Sequence, residues 1–457
     1  RSNVQNLKSF SIIVNDKDAV YPITIDPISE DPDWTFENDQ DHSHAGHSVA
    51  AAGDVNGDGF GDVIVGAPYY DNGQSEEGRI YVFHGSASGP STFPSFIKES
   101  DTAVSYFGYS VATAGDVNGD GYSDIIVGAP AWNNTGKAYV YHGSSAGLSA
   151  TNNWQKQINQ IDADFGNSVS TAGDINNDGY SDVIIGAPLA NDGQSDEGRA
   201  NIYLGSSTGL SDVIHVRLEI NSINASFGES VSLAGDVNGD GYSDVIVGAG
   251  KFTDGQTREG RAYIYAGSAS GITNSPFWTV ESNQAYSEFG GSVSTAGDVN
   301  GDGLSDVIIG AKSYEDDSTN EGTAFVYYGN ATSMSTTPSW TKDIDQRDAY
   351  FGCSVATAGD VNGDGYADVI IGAYGFENGK LDEGKAFVFF GSISGLSTSS
   401  DWYETSNQQY AKLGWSVATA GDVNGDGFSD IIISAPLYGN EQANEGRAFI
   451  YYGYADG

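Results

Sequence analysis

Seven copies of a nine-residue acidic segment, each close to Asp-Val-Asn-Gly-Asp-Gly-Tyr-Ser-Asp, constrain this chain more than any other feature. Successive copies begin 62 residues apart, except for the second and third, which are 58 apart. A long fixed period means that one supersecondary unit is repeated. The first residues of the seven copies are Asp54, Asp116, Asp174, Asp236, Asp298, Asp360 and Asp422.

The sequence around each acidic segment predicts four β-strands. In the fifth repeat, residues 292–297 alternate small and apolar side chains, and 307–311 are continuously apolar. Residues 323–329 and 340–344 are rich in β-branched and aromatic side chains, which favour strands. Four antiparallel strands in about 60 residues, repeated seven times, predict an all-β fold, a seven-bladed β-propeller of four-stranded antiparallel blades. A solenoid is the structural alternative, although its repeats are mostly shorter or helical.

The two ends of the chain predict how the ring closes. The last repeat ends after its third strand, and the missing outer strand, with its Trp, occurs before the first repeat as Trp34-Thr35-Phe36-Glu37. An N-terminal strand that completes blade seven would leave no free sheet edge. We therefore assign residues 34–457 to the propeller and 1–33 to an N-terminal β-hairpin segment, from the runs 9–14 and 20–25, or to the remnant of an upstream domain. Because the chain begins at Arg1 without Met, we expect a processed or excised fragment.

Each acidic loop has the ligand chemistry of a calcium site. Side-chain oxygens occur at positions 1, 3, 5 and 9, and the backbone carbonyl of position 7 would add another. Oxygen ligands without His or Cys favour Ca²⁺ over zinc or copper, and Mg²⁺ demands stricter geometry. We predict about seven Ca²⁺, one per blade. The predicted ligands are Asp54, Asn56, Asp58, Phe60, Asp62; Asp116, Asn118, Asp120, Tyr122, Asp124; Asp174, Asn176, Asp178, Tyr180, Asp182; Asp236, Asn238, Asp240, Tyr242, Asp244; Asp298, Asn300, Asp302, Leu304, Asp306; Asp360, Asn362, Asp364, Tyr366, Asp368; and Asp422, Asn424, Asp426, Phe428, Asp430.

Two other interpretations of these loops agree less well with the sequence. A helical EF-hand needs a Glu at position 12, where the first copy has Val65 within a strand-like run. An acidic turn without metal would leave three clustered carboxylates repelling one another in every repeat. Calcium-binding hairpin loops are the preferred interpretation.

Charge and cysteine content exclude several functions. The formal net charge is −43, so nucleic acid and anionic membranes are poor partners. No apolar run approaches the ~18 residues that cross a bilayer, so we expect no membrane insertion. The one cysteine, Cys353, excludes an internal disulfide framework, and we interpret it as an ordinary thiol.

Phe-Gly, the acidic loop and Gly-Ala-Pro follow one another in repeats two and three, as Phe107-Gly108 with 128–130 and Phe165-Gly166 with 186–188, and the other repeats keep part of the pattern. This combination resembles the FG-GAP repeats of the integrin α-subunit propeller and of related bacterial surface proteins, over roughly residues 34–457. Departures are Ala45 and Leu413 in place of Phe, Ser434 in place of Gly, and Gly250, Lys312 and Tyr374 in place of Pro. Acidic loops in all seven repeats look more like a free-standing bacterial or archaeal member than a receptor subunit.

The resemblance implies an extracellular or cell-surface, secreted, calcium-stabilised module for adhesion or recognition. Its loops would join the first and second strands on one face, and a protein or glycan partner would bind the opposite face. The alternative is a structural subunit of an extracellular filament or matrix that self-associates into a surface assembly. A non-catalytic domain of a larger secreted enzyme is the third interpretation. We expect no enzymatic activity, because every titratable cluster belongs to the repeat itself.

Positions that differ among near-identical repeats indicate where a specific function would lie. The residue after each Phe-Gly should line the axial mouth opposite the loops, and these residues are His47, Tyr109, Asn167, Glu229, Gly291, Cys353 and Trp415. Acidic loops between the second and third strands, such as 71–77 and 315–321, should share that face. We interpret His42, His44 and His47 as solvated rather than metal-binding. Asn133, Asn224 and Asn330 match the glycosylation pattern.

Overall fold

The computed structural model describes residues 28–316 and 318–455. These residues form seven four-stranded antiparallel sheets arranged as the blades of a propeller. The predicted fold is confirmed, and the solenoid alternative is wrong. The hairpin predicted from runs 9–14 and 20–25 lies outside the described residues, and the assignment of 1–33 to a separate unit stays a prediction. No helix in the described part of the chain is long and apolar enough to span a membrane.

The strands follow one order in every blade, from the innermost strand at the axis to the outermost at the rim. The first strand of the described residues is β1 (Trp34–Phe36). Blades one to three contain β2 (Ser48–Gly53), β3 (Asp62–Ala67), β4 (Arg79–Phe83), β5 (Phe96–Glu99), β6 (Ser110–Gly115), β7 (Asp124–Ala129), β8 (Lys137–Tyr141), β9 (Trp154–Gln157), β10 (Val169–Gly173), β11 (Asp182–Ala187), β12 (Arg199–Tyr203) and β13 (Val216–Glu219). Blades four to seven contain β14 (Ser230–Gly235), β15 (Asp244–Ala249), β16 (Arg261–Tyr265), β17 (Trp278–Glu281), β18 (Ser292–Gly297), β19 (Asp306–Ala311), β20 (Thr323–Tyr327), β21 (Trp340–Lys342), β22 (Ser354–Gly359), β23 (Asp368–Ala373), β24 (Lys385–Phe389), β25 (Trp402–Thr405), β26 (Val417–Gly421), β27 (Asp430–Ala435) and β28 (Arg447–Tyr451).

Strand sequence follows distance from the axis. The second strand of every blade is buried at all six positions, which explains its continuous apolar run. The innermost strand buries only two of its six residues, the second and the fifth in these blades, because its other face borders the axial channel. Small residues dominate there, since seven innermost strands crowd around one axis.

The hydrophobic cores lie between neighbouring blades rather than within single sheets. The core between blades seven and one, for example, contains Val63 and Phe83 from one blade and Ile432 and Ile450 from the other. Glycine permits the closest approach at these seams. A Cβ on Gly66 would lie 2.0 Å from the carbonyl oxygen of Gly108 in the next blade, so the Gly of Gly-Ala-Pro faces the Gly of Phe-Gly.

Ser434 replaces this close-packing glycine in blade seven. Its hydroxyl donates to the carbonyl oxygen of Ser416 at 3.2 Å and accepts the Ser416 N–H at 3.2 Å. The substitution is therefore accommodated by hydrogen bonds to Ser416, just before the neighbouring strand β26.

The N-terminal strand closes the ring as predicted. β1 pairs antiparallel with β28, with Trp34 opposite Ile450 and Phe36 opposite Ala448. Ile28 extends this edge by a bridge to Gly453. The innermost strands β26 and β2 are neighbours, so the ring is continuous around the axis.

Outer-strand tryptophans join five of the seven blades to the next. Trp34 Nε1 donates to the carbonyl oxygen of Ser91 in blade one at 3.1 Å, and Trp154, Trp278 and Trp340 donate in the same way to Ser211, Ser335 and Ser397 of the following blade. Trp402 of blade six donates to Ser29, which lies just before β1. The N-terminal segment therefore takes part in the seams on both sides of blade seven.

We predict that Trp34→Ala lowers the free energy of unfolding by about 3–5 kcal/mol, the usual cost of truncating a buried Trp. Trp34 is 9% exposed and packs against Phe83 with ring centroids 4.7 Å apart. Guanidinium denaturation of the full chain measures the change. Phe93→Ala is the control, because Phe93 is 81% exposed near the same seam and its loss should change stability by less than about 0.5 kcal/mol. Equal effects of the two substitutions would contradict closure by β1.

Candidate functional site

The acidic loops join the first and second strands of each blade, and their own side chains organise them. In the first loop, Asp54 Oδ1 accepts the N–H groups of Gly57 at 2.6 Å and Asp58 at 3.1 Å, and Asp54 Oδ2 accepts that of Gly59 at 2.8 Å. The amide of Asn56 donates to Asp58 Oδ2 at 2.9 Å. The turn is thus wound around the first carboxylate. The third and fifth side chains are held against each other.

Tight winding requires left-handed backbone at positions 4 and 6 of the loop. Gly59 at position 6 has a φ of +90°, and its six equivalents lie between +87° and +94°. Position 4 is Gly in six loops, and Asn177 takes its place in the third with a φ of +57°. Asn tolerates this region better than other residues with a Cβ, so all seven loops keep one conformation.

The last aspartate of each loop is buried and joins the loop to the rest of its blade. Asp62 Oδ2 accepts the N–H of Val55 at 2.8 Å, and Asp62 Oδ1 accepts that of Gly85, just after the third strand, at 2.9 Å. Burial raises the pKa of Asp62 to about 7; these two bonds oppose the shift, and the charges of Asp58 and Asp54 add to it. Burial has the same effect in every blade, raising the pKa to about 7 in Asp124, Asp182, Asp244, Asp306 and Asp430 and to about 8 in Asp368.

The seven loops form a hydrogen-bonded ring. In every blade, the carbonyl oxygen of loop position 1 accepts the N–H of position 8 in the next loop, at 2.8–3.2 Å. The ring closes where Gly61 of the first loop donates to Asp422 of the seventh at 2.8 Å. The other six donors are Ser123, Ser181, Ser243, Ser305, Ala367 and Ser429. These hydrogen bonds couple each loop to the loops on either side of it.

The donor set of each loop fits a hard divalent cation. Three carboxylates, one amide oxygen and one backbone carbonyl are the ligands that Ca²⁺ takes. None of the loop aspartates forms an ion pair with Lys, Arg or His within residues 28–316 and 318–455. A bound cation would offset the mutual repulsion of the three carboxylates and lower the raised pKa of the buried one.

Acidic side chains approach one another more closely at two other places. The carboxylate oxygens of Glu77, Glu99 and Asp101 lie within 4.8 Å of one another, as do those of three acids at the equivalent place in blade five. The three aspartates of a single acidic loop form no group this close in the described chain, because each is directed to backbone N–H groups. Each loop therefore contains its predicted ligands, but its three carboxylates lie farther apart than those of Glu77, Glu99 and Asp101.

The residues that follow Phe-Gly meet at the opposite end of the axis. All seven line one cavity of about 320 Å³ at the start of the innermost strands, and they are His47, Tyr109, Asn167, Glu229, Gly291, Cys353 and Trp415. The predicted axial mouth is confirmed. The volume of this cavity lies at the lower end of the range for ligand pockets, about 300–1,000 Å³.

One side of the axial mouth is aromatic. The His47 ring lies 4.4 Å from Tyr109 and 5.8 Å from Trp415, and Trp415 lies 5.1 Å from Tyr374. His47 Nδ1 is 3.1 Å from the carbonyl oxygen of Tyr109, and burial lowers the pKa of His47 to about 4. This imidazole is therefore neutral near pH 7, and the charge beside the aromatic wall is the ammonium of Lys412, which lies 5.0 Å from the Tyr374 ring and 5.7 Å from the Trp415 ring.

The other side of the axial mouth is polar. Asn167 Nδ2 donates to the backbone oxygen of Glu229 at 3.2 Å, and Lys312 pairs with Glu288 at 3.2 Å. Burial raises the pKa of the Glu229 carboxyl, while the charge of Lys312 opposes that shift. Oε2 of Glu229 is buried without a hydrogen-bond partner in the described chain. Glu229 lines the cavity, and this oxygen is its unpartnered acceptor.

The structure contradicts the interpretation of two histidines and agrees with that of the cysteine. His42 is exposed, but His44 and His47 pack on the Tyr69 ring at 4.8 and 6.1 Å, so describing them as solvated was wrong. Burial lowers the pKa of His44 to about 4. Cys353 Sγ donates to the carbonyl oxygen of Gly372 at 3.3 Å, and burial raises the pKa of its thiol to about 11, as expected of an ordinary thiol.

Sequence analysis missed a second repeated acid. A Glu before Gly ends the loop between the second and third strands in six blades, and it is at most 1% exposed in each: Glu77, Glu197, Glu259, Glu321, Glu383 and Glu445. Its carboxylate accepts a backbone N–H from five residues earlier, as between Asn72 and Glu77 at 2.6 Å. The Glu-Gly pair recurs at a fixed distance from each acidic loop, and that recurrence could have identified it.

A family model and several curated proteins match the chain. The FG-GAP repeat model matches once in each blade, at residues 45–83, 107–141, 165–203, 227–265, 289–327, 351–389 and 413–451. These segments contain the first three strands of each blade, together with the acidic loop.

Integrin α chains are among the similar proteins. Integrin alpha-V of Gallus gallus is 37% identical over 220 residues, 46% of this chain and 20% of the relative. Integrin alpha-4 of Xenopus laevis is 31% identical over 258 residues, 54% of this chain and 23% of the relative. The chain thus spans about a fifth of the length of these relatives. With one family match in every blade and more than half of its residues covered, this chain belongs to the FG-GAP repeat family.

Proposed function

We propose that this chain is a calcium-stabilised recognition or adhesion module that works outside the cell or on its surface. A protein or glycan ligand binds at the axial mouth, on the face opposite the acidic loops. The similarity to integrin α chains supports a role in recognition. Acidic loops that suit weak extracellular calcium sites, with a dissociation constant of roughly 10⁻⁴–10⁻³ M, support the location.

One observation carries the proposal for the ligand site. Along seven near-copies, the position after Phe-Gly differs in every blade, and the structure collects all seven side chains in one cavity. A structural role in a symmetric ring would be met by the same residue in each blade. Unlike residues around one cavity instead suit a ligand that lacks sevenfold symmetry.

The chemistry of the mouth favours a ligand with one apolar face and several polar groups. Trp415 and Tyr109 supply flat surfaces for stacking, while Asn167 and Glu229 supply hydrogen-bonding groups on the opposite wall. Aromatic surface with a few fixed polar groups is the usual composition of small-ligand sites. A sugar ring, or an aromatic side chain presented by a protein, has this character.

We further propose one Ca²⁺ in each acidic loop, held by the four side chains and the backbone carbonyl named above. The donor chemistry supports seven sites, and so does the absence of ion pairs to the loop aspartates within the described ranges 28–316 and 318–455. We also infer that the domain is not catalytic. Two titratable groups at the mouth, Cys353 and His47, are unsuited to nucleophilic or general-base chemistry near pH 7, because burial keeps the Cys353 thiol protonated and makes the His47 imidazole a weak base.

Calcium removal should destabilise the whole ring. At free Ca²⁺ tenfold above the dissociation constant, each site would add about 1.4 kcal/mol to the free energy of unfolding, so seven would add about 10 kcal/mol. Differential scanning calorimetry in Ca²⁺ and in EDTA measures this. Mg²⁺ added to the chelated protein at the same concentration is the control. Identical melting temperatures in Ca²⁺ and EDTA would contradict the calcium proposal.

Two aspartates of one loop separate ligand from structural roles. Asp58→Asn removes charge from an exposed side chain, so it should lower stability by about 1.4 kcal/mol in Ca²⁺ and hardly at all in EDTA. Asp62→Asn leaves a buried N–H group without its acceptor, so it should cost about 1–3 kcal/mol even in EDTA. Urea denaturation of both variants in both buffers measures the difference. An equal cost of Asp58→Asn in the two buffers would exclude it as a ligand.

The axial mouth is tested by screening the full chain on glycan and extracellular-protein arrays in millimolar Ca²⁺. Tyr109→Ala and Trp415→Ala should each weaken binding of a hit at least about 10-fold, the usual effect of truncating a central aromatic contact. Phe93→Ala, an exposed aromatic away from the mouth, should leave binding unchanged. Loss of binding in the Phe93 variant alone would place the ligand site elsewhere.

A further inference from the structure

Four blades place an arginine next to acidic side chains on the face opposite the acidic loops. The first residue of the third strand is Arg79 in blade one, and its cross-strand partner is Glu99 at the end of the outer strand. The Arg79 guanidinium forms an ion pair with Glu99. In blade four, Arg261 Nε lies 2.9 Å from Glu281 Oε2, and its NH2 group lies 3.1 Å from Asp254. Blades three and seven likewise have Arg199 beside Asp192 and Arg447 beside Glu37.

Two more blades have lysine at this position and no acid across from it. Lys137 of blade two is opposite Gln157, and Lys385 of blade six is opposite Thr405. Lys137 lies over the Trp132 ring at 4.3 Å. In all six blades the third strand therefore begins with a base, and where the outer strand has an acid across from it, that acid lies beside the base.

Blade five breaks this rule. Its third strand begins with Thr323, and the register of β20 and β21, in which Ala324 is opposite Lys342, places Thr323 across from Asp343. Blade five therefore has the outer-strand acid, Asp343, but no base at the first position of its third strand. In the described part of the chain, neither Asp343 nor Asp345 forms an ion pair with any Lys, Arg or His.

Three carboxylates meet at this place. The carboxylate oxygens of Glu321, Asp343 and Asp345 lie within 4.8 Å of one another. Glu321 is fully buried, and its Oε1 is fixed by the backbone N–H of Asp316. Asp343 and Asp345 also line a cavity of about 360 Å³ beside blade six, which gives an ion access from solvent. Lys342 lines the same cavity but forms no ion pair with Asp343 or Asp345 among the described residues.

Thr323 supplies a second, independent observation. It is 2% exposed, and its Oγ1 is buried without a hydrogen-bond partner among the described residues. Cross-strand partners project from the same face of a sheet, so the hydroxyl is on the side of Asp343. A buried hydroxyl without a partner is costly, and a bound cation would use its oxygen.

We propose that blade five binds an additional divalent cation, of the calcium class, through Glu321, Asp343 and Asp345, with the Thr323 hydroxyl beside it. Oxygen ligands alone, three of them carboxylates, select a hard cation. The ion offsets the negative charge of the clustered acids in blade five, as arginine does in blades one and four. It lies on the face that carries the axial mouth and is separate from the acidic loops.

Blade one provides a matched comparison within the same chain. Glu77, Glu99 and Asp101 form the equivalent trio within 4.8 Å, but Arg79 is already paired with Glu99. Thr323→Arg should therefore fill the blade-five site with a guanidinium. Arg79→Thr should create the same site in blade one. Both substitutions only exchange residues that the scaffold accepts at this position.

Crystals of the full chain grown with Mn²⁺ would locate the ion by anomalous diffraction. We expect a peak between Glu321, Asp343 and Asp345 that disappears in Thr323→Arg, and a new peak beside Glu77 in Arg79→Thr. No peak in blade five of the wild type, or an unchanged peak in Thr323→Arg, would overturn the proposal. Peaks in the acidic loops are read separately in the same map, so failure of the loop proposal is distinguishable.

Equilibrium dialysis with radioactive Ca²⁺ tests the site in solution. Thr323→Arg and Asp345→Asn should each bind one ion fewer than wild type, and Arg79→Thr should bind one more. Asp345 is exposed, so its substitution should preserve the fold. Equal stoichiometry in wild type and both blade-five variants would contradict the proposal.

Discussion

One buried carboxylate at the end of each acidic loop supports the rest of its blade. Asp62 and its six equivalents accept a backbone N–H from the loop and another from just after the third strand. Hydrogen bonds to a charged acceptor are worth about 1.5–3 kcal/mol each, but a buried charge is costly without a counter-charge. The raised pKa of this aspartate expresses that cost. A cation in the loop would favour the ionised form that accepts both bonds.

The ring makes these local contacts collective. Each loop accepts a hydrogen bond from the next, and each seam buries apolar side chains from two blades. A near-symmetric ring leaves one face free to vary, because the repeated interactions are concentrated in the loops and the inter-blade cores. The unlike residues at the axial mouth and the exchanged Thr323 in blade five both lie on the face opposite the loops. The repeated interactions and the residues that differ among blades thus occupy opposite ends of the same strands.

Most of the fold could be predicted from the sequence because every blade repeats one pattern. The Trp34 run identified the closing strand, and the position after Phe-Gly identified the axial mouth. The packing of His44 and His47 on Tyr69 could not be predicted, because that contact depends on how a loop folds over a strand end. The cluster of Glu321, Asp343 and Asp345 in blade five could not be predicted either. Thr323 and Asp343 are 20 residues apart, and only cross-strand register places them together.

Hydrogen–deuterium exchange of the full chain in Ca²⁺ and in EDTA tests most directly the claim that cations in the acidic loops hold the ring together. The informative amides are those that bridge neighbouring loops, such as Ser123 N–H to Asp54, and those held by Asp62. The account predicts faster exchange of these amides in all seven blades when calcium is removed. Unchanged exchange in the loops, with the same protection in both buffers, would contradict it.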